Sequence, residues 1–89
     1  MSRTLLIGTG TEVALNTAST VDNATVVRVF NNSGADATVS VAKSTSDGYA
    51  STATVSLTAD RIEFFEKGPN DIISASVSTV VGFKVGFTN

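Results

Sequence analysis

The chain has 89 residues, of which 42% are hydrophobic, and its six basic and eight acidic side chains give a net charge of −2. It contains no cysteine and no histidine, which excludes a disulfide-stapled domain and the usual zinc sites. The basic residues are scattered, whereas a nucleic-acid-binding protein needs a dense basic face. A chain of this length supplies one hydrophobic core, so we expect a single domain over residues 1–89.

The N-terminal stretch predicts neither secretion nor membrane insertion. It reads MSRTLLIGTGT, in which three apolar residues are consecutive. The core of a signal peptide needs about 7–15 apolar residues, and a membrane-spanning helix needs about 20. We therefore expect a protein that is made in the cytosol and stays soluble, with no membrane as its partner.

Short runs typical of β-strands alternate with turn residues along the whole chain, and no window repeats apolar residues at helical spacing. In chain order the predicted strands are RTLLIG, TEVALN, ATVVRVFNN, DATVSVAKS, STATVSLTA, RIEFFE, a run that begins at Ile72, and VVGFKVGFTN. Gly, Asn, Asp and Pro predict turns at 31–34, 47–48 and 67–71. The pattern predicts an all-β fold, an antiparallel sandwich or barrel of about six to eight short strands.

Alternation within these runs predicts the core, because every second side chain of a strand lies on the same face of the sheet. The predicted core residues are Val39, Val41, Val55, Leu57, Ile62, Phe64, Phe83, Val85 and Phe87. In the last run Gly82 and Gly86 lie on the opposite face from Phe83. A glycine there either curves the strand or lets another element approach it, and we favour curvature.

The segment RIEFFEKGPNDII, residues 61–73, concentrates two phenylalanines, five charges and the only proline of the chain. With Ile62 and Phe64 facing the core, alternation sends Phe65 outward. An exposed aromatic residue among charges is typical of an interface anchor, although a bulge or burial on both faces would also explain it. The predicted interface consists of Phe65, Glu63, Glu66, Lys67 and Pro69.

No constellation of residues predicts catalysis. Without His or Cys, an active site would need carboxylates, Lys or Tyr, and Glu63 and Glu66 have opposite strand parity and so do not face each other. The Gly8-Thr9-Gly10 stretch lacks the further glycine, the lysine and the helix of a phosphate-binding loop. We expect no enzymatic activity, no cofactor and no metal-binding motif, and leave open a structural ion at a subunit junction.

The opening MSRTLLIGTGTEVALNTAST and the closing VVGFKVGFTN resemble short virion proteins of tailed bacteriophages, particularly those that infect marine cyanobacteria. The similarity includes a start rich in Gly and Thr, strands rich in Ser and Thr, a Lys-Gly-Pro turn before an Asp-Ile strand, and the Lys-Val-x-Phe-Thr end at 84–88. The resemblance implies a capsid decoration (cement) protein, bound in many copies to the outside of a virus head. The chain lacks the arm rich in Pro and Gly that many cement proteins use, which leaves open a place in a tail or fibre.

The same resemblance implies partners and location. The expected partner is the major capsid protein or another virion protein, and the expected location is the virion after synthesis in the host cytoplasm. A homo-oligomer is also expected, because the chain is short and has no disulfide or metal to stabilise a thin core. Trimers are the form that the resemblance implies.

A second hypothesis is a carbohydrate- or cell-surface-binding module within a phage tail or fibre. In that case Tyr49 and Phe65 would supply stacking faces for a sugar, and Asp47 or Asn70 would supply hydrogen bonds. Sugar sites usually present several aromatic residues, so the decoration protein is the leading hypothesis and an enzyme ranks third.

Overall fold

The computed structural model describes residues 3–46, 48–50 and 52–88, without the side chains of residues 87 and 88. This part of the chain contains strands and turns and no helix, so the predicted all-β class is confirmed. The strands in chain order are β1 (Arg3–Leu6), β2 (Val13–Ala14), β3 (Val26–Asn31), β4 (Ala37–Ala42), β5 (Ser44–Thr45), β6 (Gly48–Tyr49), β7 (Ala53–Leu57), β8 (Ile62–Glu66), β9 (Ile72–Ala75) and β10 (Val80–Thr88).

The strands form two main sheets and one small hairpin. The large sheet has the order β1-β10-β3-β8, and β2 also pairs with β10. The small sheet has the order β7-β4-β9, and β5 pairs with β6. Every strand pair is antiparallel, and the arrangement is a β-sandwich-like fold. Strand β8 is therefore one edge of the large sheet, β1 and β2 lie along the other edge, and β7 is an edge of the small sheet.

The core lies between the two sheets. Val27 and Val29 enter it from the large sheet, and Val39 and Ile73 enter it from the small sheet. Leu15, which follows β2, is fully buried in the same cluster. Since several of these side chains are valines, the core is thin, as the composition predicts.

One face of the small sheet is lined by hydroxyl groups. Ser40 and Thr54 lie opposite each other in β4 and β7, and their hydroxyl oxygens are 2.8 Å apart. Val39 and Leu57, on the other face, are buried. The hydroxyl pair makes this face of the small sheet compatible with contact with water.

In β10 the predicted parity is wrong. A Cβ added to Gly82 would lie 3.0 Å from a methyl carbon of Val27 and 3.2 Å from one of Leu15, so this glycine faces the core. Phe83 is consequently on the outer face of the large sheet and only half-buried. Close approach of another element, rather than strand curvature, explains Gly82, because Leu15 occupies the space that its side chain would take.

In β8 the predicted parity is also wrong. Phe65 pairs with the fully buried Val27 and packs against the core cluster, whereas Ile62 and Phe64 are 44% and 41% exposed. The run Ile-Glu-Phe-Phe-Glu contains two adjacent aromatics, so two alternations fit it equally well. The pairing with β3 decides between them, and it turns Phe65 inward.

The other predicted core residues differ in their burial. Val39 and Leu57 are buried in the core, as predicted, whereas Val85 is buried on the same outer face as Phe83 and is not part of the core cluster. Val41 is partly buried against the core. Val55 faces inward beside Val39 but is 50% exposed, so its assignment to the core is wrong; the side chain of Phe87 lies outside the described residues.

Candidate interaction surfaces

The predicted interface at 63–69 does not form one exposed patch. Glu63, Glu66 and Pro69 are exposed, but Phe65 is half-buried and Lys67 is only 7% exposed. The pairing with β3 places Glu63 opposite Val29 and Glu66 opposite Val26, hence on opposite faces of the sheet. The prediction that Phe65 is an exposed interface anchor is therefore wrong. The prediction that Lys67 is an exposed charge on the rim of that interface is wrong as well.

Lys67 is a structural residue. Its Nζ donates hydrogen bonds to the backbone carbonyl oxygens of Ala24, at 2.8 Å, and Gly68, at 3.1 Å. Its backbone N–H donates to the carbonyl of Thr25. Burial lowers the pKa of the Lys67 ammonium, and the nearby Asp71 carboxylate partly opposes this shift. The side chain thus fastens the 67–71 turn to the segment before β3.

Asp71 fastens the same turn from its other end. Its Oδ1 accepts a hydrogen bond from the backbone N–H of Ser44 at 2.8 Å, and its Oδ2 accepts one from Gly68 at 2.9 Å. These two bonds, aided by the positive charges of Lys43 and Lys67, hold the pKa of the carboxyl below its usual value. A Cβ at Gly68 would lie 2.9 Å from Oδ2, so glycine permits this close approach.

The 67–71 turn also contacts a segment with left-handed backbone conformation, residues 21–23. Val21, Asp22 and Asn23 are consecutive non-glycine residues with φ of 51°, 59° and 56°. Each residue in this left-handed region costs about 1–2 kcal/mol. Val21 is buried, and Asn23 donates from Nδ2 to the Pro69 carbonyl at 3.2 Å. Packing and hydrogen bonds thus maintain the conformation, and the only proline of the chain has a structural partner.

The outer face of the large sheet is the first candidate surface. Its cross-strand pairs include Leu6–Val85, Val26–Glu66, Phe83–Arg28–Phe64 and Val81–Phe30–Ile62. Eight of these ten side chains are apolar and two, Arg28 and Glu66, are charged; Leu6, Ile62 and Phe64 are 67%, 44% and 41% exposed. A sheet that is apolar on both faces normally has both faces covered.

A charge pair lies within this outer face. The Nη1 of Arg28 is 3.0 Å from the Oε2 of Glu12. A shallow groove of about 430 Å³ is lined by both residues together with Leu6 and Phe83. Because Glu12 neutralises Arg28, the face carries little net charge at its centre.

The second candidate surface is a cleft between β7 and β8, the edges of the two sheets on one side of the sandwich. It has a volume of about 380 Å³, and its lining includes Val55, Leu57, Phe65, Arg61 and Glu63. Val55 and Phe65 both face the interior of the sandwich, yet the described residues leave Val55 half-exposed. The core is therefore open to solvent along this seam.

The geometry of a carbohydrate site is not assembled around the predicted residues. Tyr49 is 54% exposed on the β5–β6 hairpin, whereas the cleft beside Phe65 has no contribution from Tyr49. The Oδ1 of Asn70 accepts a hydrogen bond from Asn23 at 3.3 Å. Asp47 lies outside the described residues.

No group of three His, Cys, Asp or Glu side chains within the described ranges is placed to hold a metal ion. The same part of the chain has no helix long and apolar enough to cross a membrane.

Comparison of the chain with protein-family models, with curated proteins and with solved structures gave no match.

Proposed function

We propose that this protein is a non-enzymatic structural protein of a virus particle, a capsid decoration protein that attaches to the outside of a head shell. The observation that supports the proposal is the apolar outer face of the large sheet, where Leu6, Ile62 and Phe64 are each more than 40% exposed. Contiguous apolar surface of this kind on a small domain marks a contact with another macromolecule. The resemblance to phage virion proteins supplies the identity of that macromolecule, the major capsid protein.

The size of the face suits attachment in many copies. Four strands about 4.8 Å apart and five residues with a rise of about 3.3 Å give a planar footprint of roughly 300 Å². A standard stable interface buries about 800 Å² on each partner. One copy that uses this face alone would bind weakly, so the effect on a shell comes from many copies or from contacts between them.

The function follows from linkage. A protein that binds the assembled shell and not its separated subunits stabilises the shell by its binding free energy at each occupied site. Burial of the exposed parts of Ile62 and Phe64 supplies a favourable apolar term. The Glu12–Arg28 pair neutralises the charge at the centre of the face, and the remaining charge, Glu66, lies at its β8 edge.

The test is cosedimentation with undecorated heads of a tailed bacteriophage that infects marine cyanobacteria. We expect the protein to saturate the heads at a fixed ratio to the major capsid protein. Ile62→Lys should reduce the bound fraction at least tenfold, because it places a charge in the apolar contact. The matched control is Val77→Lys, since Val77 is 40% exposed and lies in the loop between β9 and β10, outside the strands of the large sheet.

Two outcomes would refute the proposal. The first is a protein that shows no saturable retention on the heads at neutral pH and moderate salt. The second is equal retention of the Ile62→Lys and Val77→Lys variants, which would remove the outer face as the contact. Far-UV circular dichroism of both variants verifies that each retains the β fold before binding is compared.

A further inference from the structure

We infer that copies of this chain join head to tail, with β1 of one copy extending the large sheet of the next copy beside β8. This interface uses the two edges of the sheet rather than its outer face, so it stands independently of the proposed attachment to a head shell.

The two edges of the large sheet present complementary apolar features. At one edge Leu5, in β1, and Ile7, directly after β1, are 50% and 46% exposed. At the other edge the β7–β8 cleft exposes Val55, which faces inward, and is lined by Phe65. One edge therefore presents apolar side chains on a strand, and the other presents an apolar cleft beside a strand.

Strand direction fits this junction without further adjustment. β1 is antiparallel to β10, β10 to β3, and β3 to β8, so directions alternate across the large sheet. When a second copy in the same orientation is placed beside the first, its β1 is antiparallel to β8. The junction thus continues the alternation, and strands of four and five residues meet.

Side-chain parity brings the apolar residues of β1 to the cleft. Leu5 pairs with Gly86, which shares the inner face with the core-facing Gly82, so Leu5 is an inner-face residue. A register that keeps the inner face continuous sets Leu5 of one copy opposite Glu63 or Phe65 of the next. Both of these residues line the cleft, so Leu5 would lie over the seam beside Val55.

Charge favours the same pairing. Within its bounds β1 carries one charge, that of Arg3, and β8 carries two acids, Glu63 and Glu66. Two β8 strands side by side would gather four carboxylates at one junction, and two β1 strands would gather two guanidinium groups, whereas a β1–β8 junction combines opposite charges. The net charge of the edges therefore favours the pairing of unlike edges over a symmetric dimer through either edge.

The consequence is a heterologous interface, in which each copy has one donor edge and one acceptor edge. Such an interface closes into a ring or continues as a filament, depending on the rotation between neighbours. Addition of a strand to an exposed sheet edge obtains its affinity from main-chain hydrogen bonds and its specificity from pockets for alternate side chains. The cleft beside Val55 is the pocket in this case.

The first experiment is analytical ultracentrifugation of the full chain with three single variants. We expect the wild type to form oligomers that Leu5→Lys, at the donor edge, and Val55→Lys, at the acceptor edge, each reduce to monomers. Val77→Lys is the control and should leave the oligomers intact. A 1:1 mixture of Leu5→Lys and Val55→Lys should form a dimer, because Leu5→Lys retains an acceptor edge and Val55→Lys retains a donor edge.

The second experiment does not depend on how the lysine variants fold. The chain contains no cysteine, so a double variant Leu5→Cys, Glu63→Cys introduces the only thiols. The two positions lie on opposite edges of one sheet and cannot meet within a copy. Mild oxidation should produce a ladder of disulfide-linked oligomers, whereas the control Leu5→Cys, Val77→Cys should produce none.

The inference is overturned by a wild-type protein that stays monomeric up to about 1 mM. Oligomers that survive both edge variants would also overturn it, as would a failure of the mixed variants to form a dimer. A ladder of equal length from the Val77→Cys control would show that the linkage is not specific to these edges.

Discussion

The side chain of Asn31, at the end of β3, donates a hydrogen bond from Nδ2 to the backbone carbonyl of Leu57, at the end of β7, over 2.9 Å. Asn31 is fully buried, and its Nδ2 also donates to the carbonyl of Ala35 at 2.8 Å. Its Oδ1 accepts from the N–H and the hydroxyl of Ser33, at 3.0 Å and 2.7 Å. One amide therefore links the large sheet to the small sheet at the corner where the chain crosses between them.

Replacement of this amide should be costly. We expect Asn31→Ala to lower the free energy of unfolding by roughly 3 kcal/mol, because it leaves buried carbonyl and N–H groups without partners. Urea denaturation monitored by circular dichroism measures the change. Asn32→Ala is the control, since Asn32 is exposed, and it should change stability by less than about 0.5 kcal/mol. Equal effects of the two substitutions would contradict the role given to Asn31.

Gly82 and Gly86 provide a matched pair within β10. Gly82→Ala should destabilise the fold by about 1–3 kcal/mol, because the new methyl group meets Val27 and Leu15, which are both fully buried. Gly86→Ala meets the Cδ1 of Ile7 at 2.9 Å, and this exposed side chain can rotate away. We expect a cost below about 1 kcal/mol for Gly86→Ala. Thermal unfolding of both variants under identical conditions tests the order, and a larger loss for Gly86→Ala would refute it.

These glycines show where sequence alternation succeeds and where it fails. Alternation identifies β10 as a strand. It assigns the face with the larger side chains to the core, and in β10 that assignment is wrong. Gly82 has no side chain on the inner face because the side chain of Leu15, which is distant along the chain, occupies that space. Fold class follows from local pattern, whereas the facing of a strand with apolar residues on both sides depends on pairing and on contacts from elsewhere.

The candidate surfaces follow the same logic. Exposure of Ile62 and Phe64 and the open cleft beside Val55 depend on which strands are sheet edges, and edge position cannot be obtained from the strand sequences. The roles of Lys67 and Asp71 were missed because a charged pair in a turn is normally solvated. The sequence did contain one signal, a Gly-Pro turn with a charge on each side.

The reversed parity of β8 changes the expected effect of its two phenylalanines. Phe65→Ala should lower the free energy of unfolding by about 2–4 kcal/mol, because Phe65 packs against the core. Phe64→Ala should cost less than about 1.5 kcal/mol, since its ring is 41% exposed on the outer face. Equilibrium unfolding in urea compares them. A greater loss for Phe64→Ala would restore the parity that alternation suggested.

Asp71 predicts an acid-labile component of stability. Its folded pKa lies below the usual value, so the unfolded chain binds the proton more readily at this site. The stabilisation is fully present well above the unfolded pKa of about 3.9 and is lost as the pH falls through the lower folded pKa. We expect Asp71→Asn to be less stable than the wild type at pH 7, because the amide has one acceptor oxygen where the carboxylate has two, which accept from the N–H groups of Ser44 and Gly68.

The difference between wild type and Asp71→Asn should shrink as the pH falls below about 4. Melting temperatures measured for both proteins across this range test the linkage. Asp22→Asn is a control at an exposed carboxyl for which the described residues show no side-chain hydrogen bond. A constant gap between wild type and Asp71→Asn at every pH would assign the effect to packing and not to ionisation.

The left-handed turn at 21–23 offers a stabilising substitution. Asp22 is exposed and has a φ of 59°, a conformation that glycine adopts without steric cost. We expect Asp22→Gly to raise the free energy of unfolding by about 0.5–1 kcal/mol and Asp22→Ala to lower it by about 1 kcal/mol. Thermal melts of the two variants provide the measurement. The same sign for both would show that the backbone at this position is not under strain.

Strand β10 is the third strand from the free edge β8, and it pairs with β1, β2 and β3. The only paired strands that are also neighbours along the described chain are β5 and β6, so almost every pairing must close a long loop. Such topologies fold slowly. During translation β1 and β2 have no sheet partner until β10 has left the ribosome. Until then their apolar side chains are exposed and can form non-native contacts. Yield in a cell should therefore depend on the rate of synthesis and on chaperones, in addition to the stability of the folded protein.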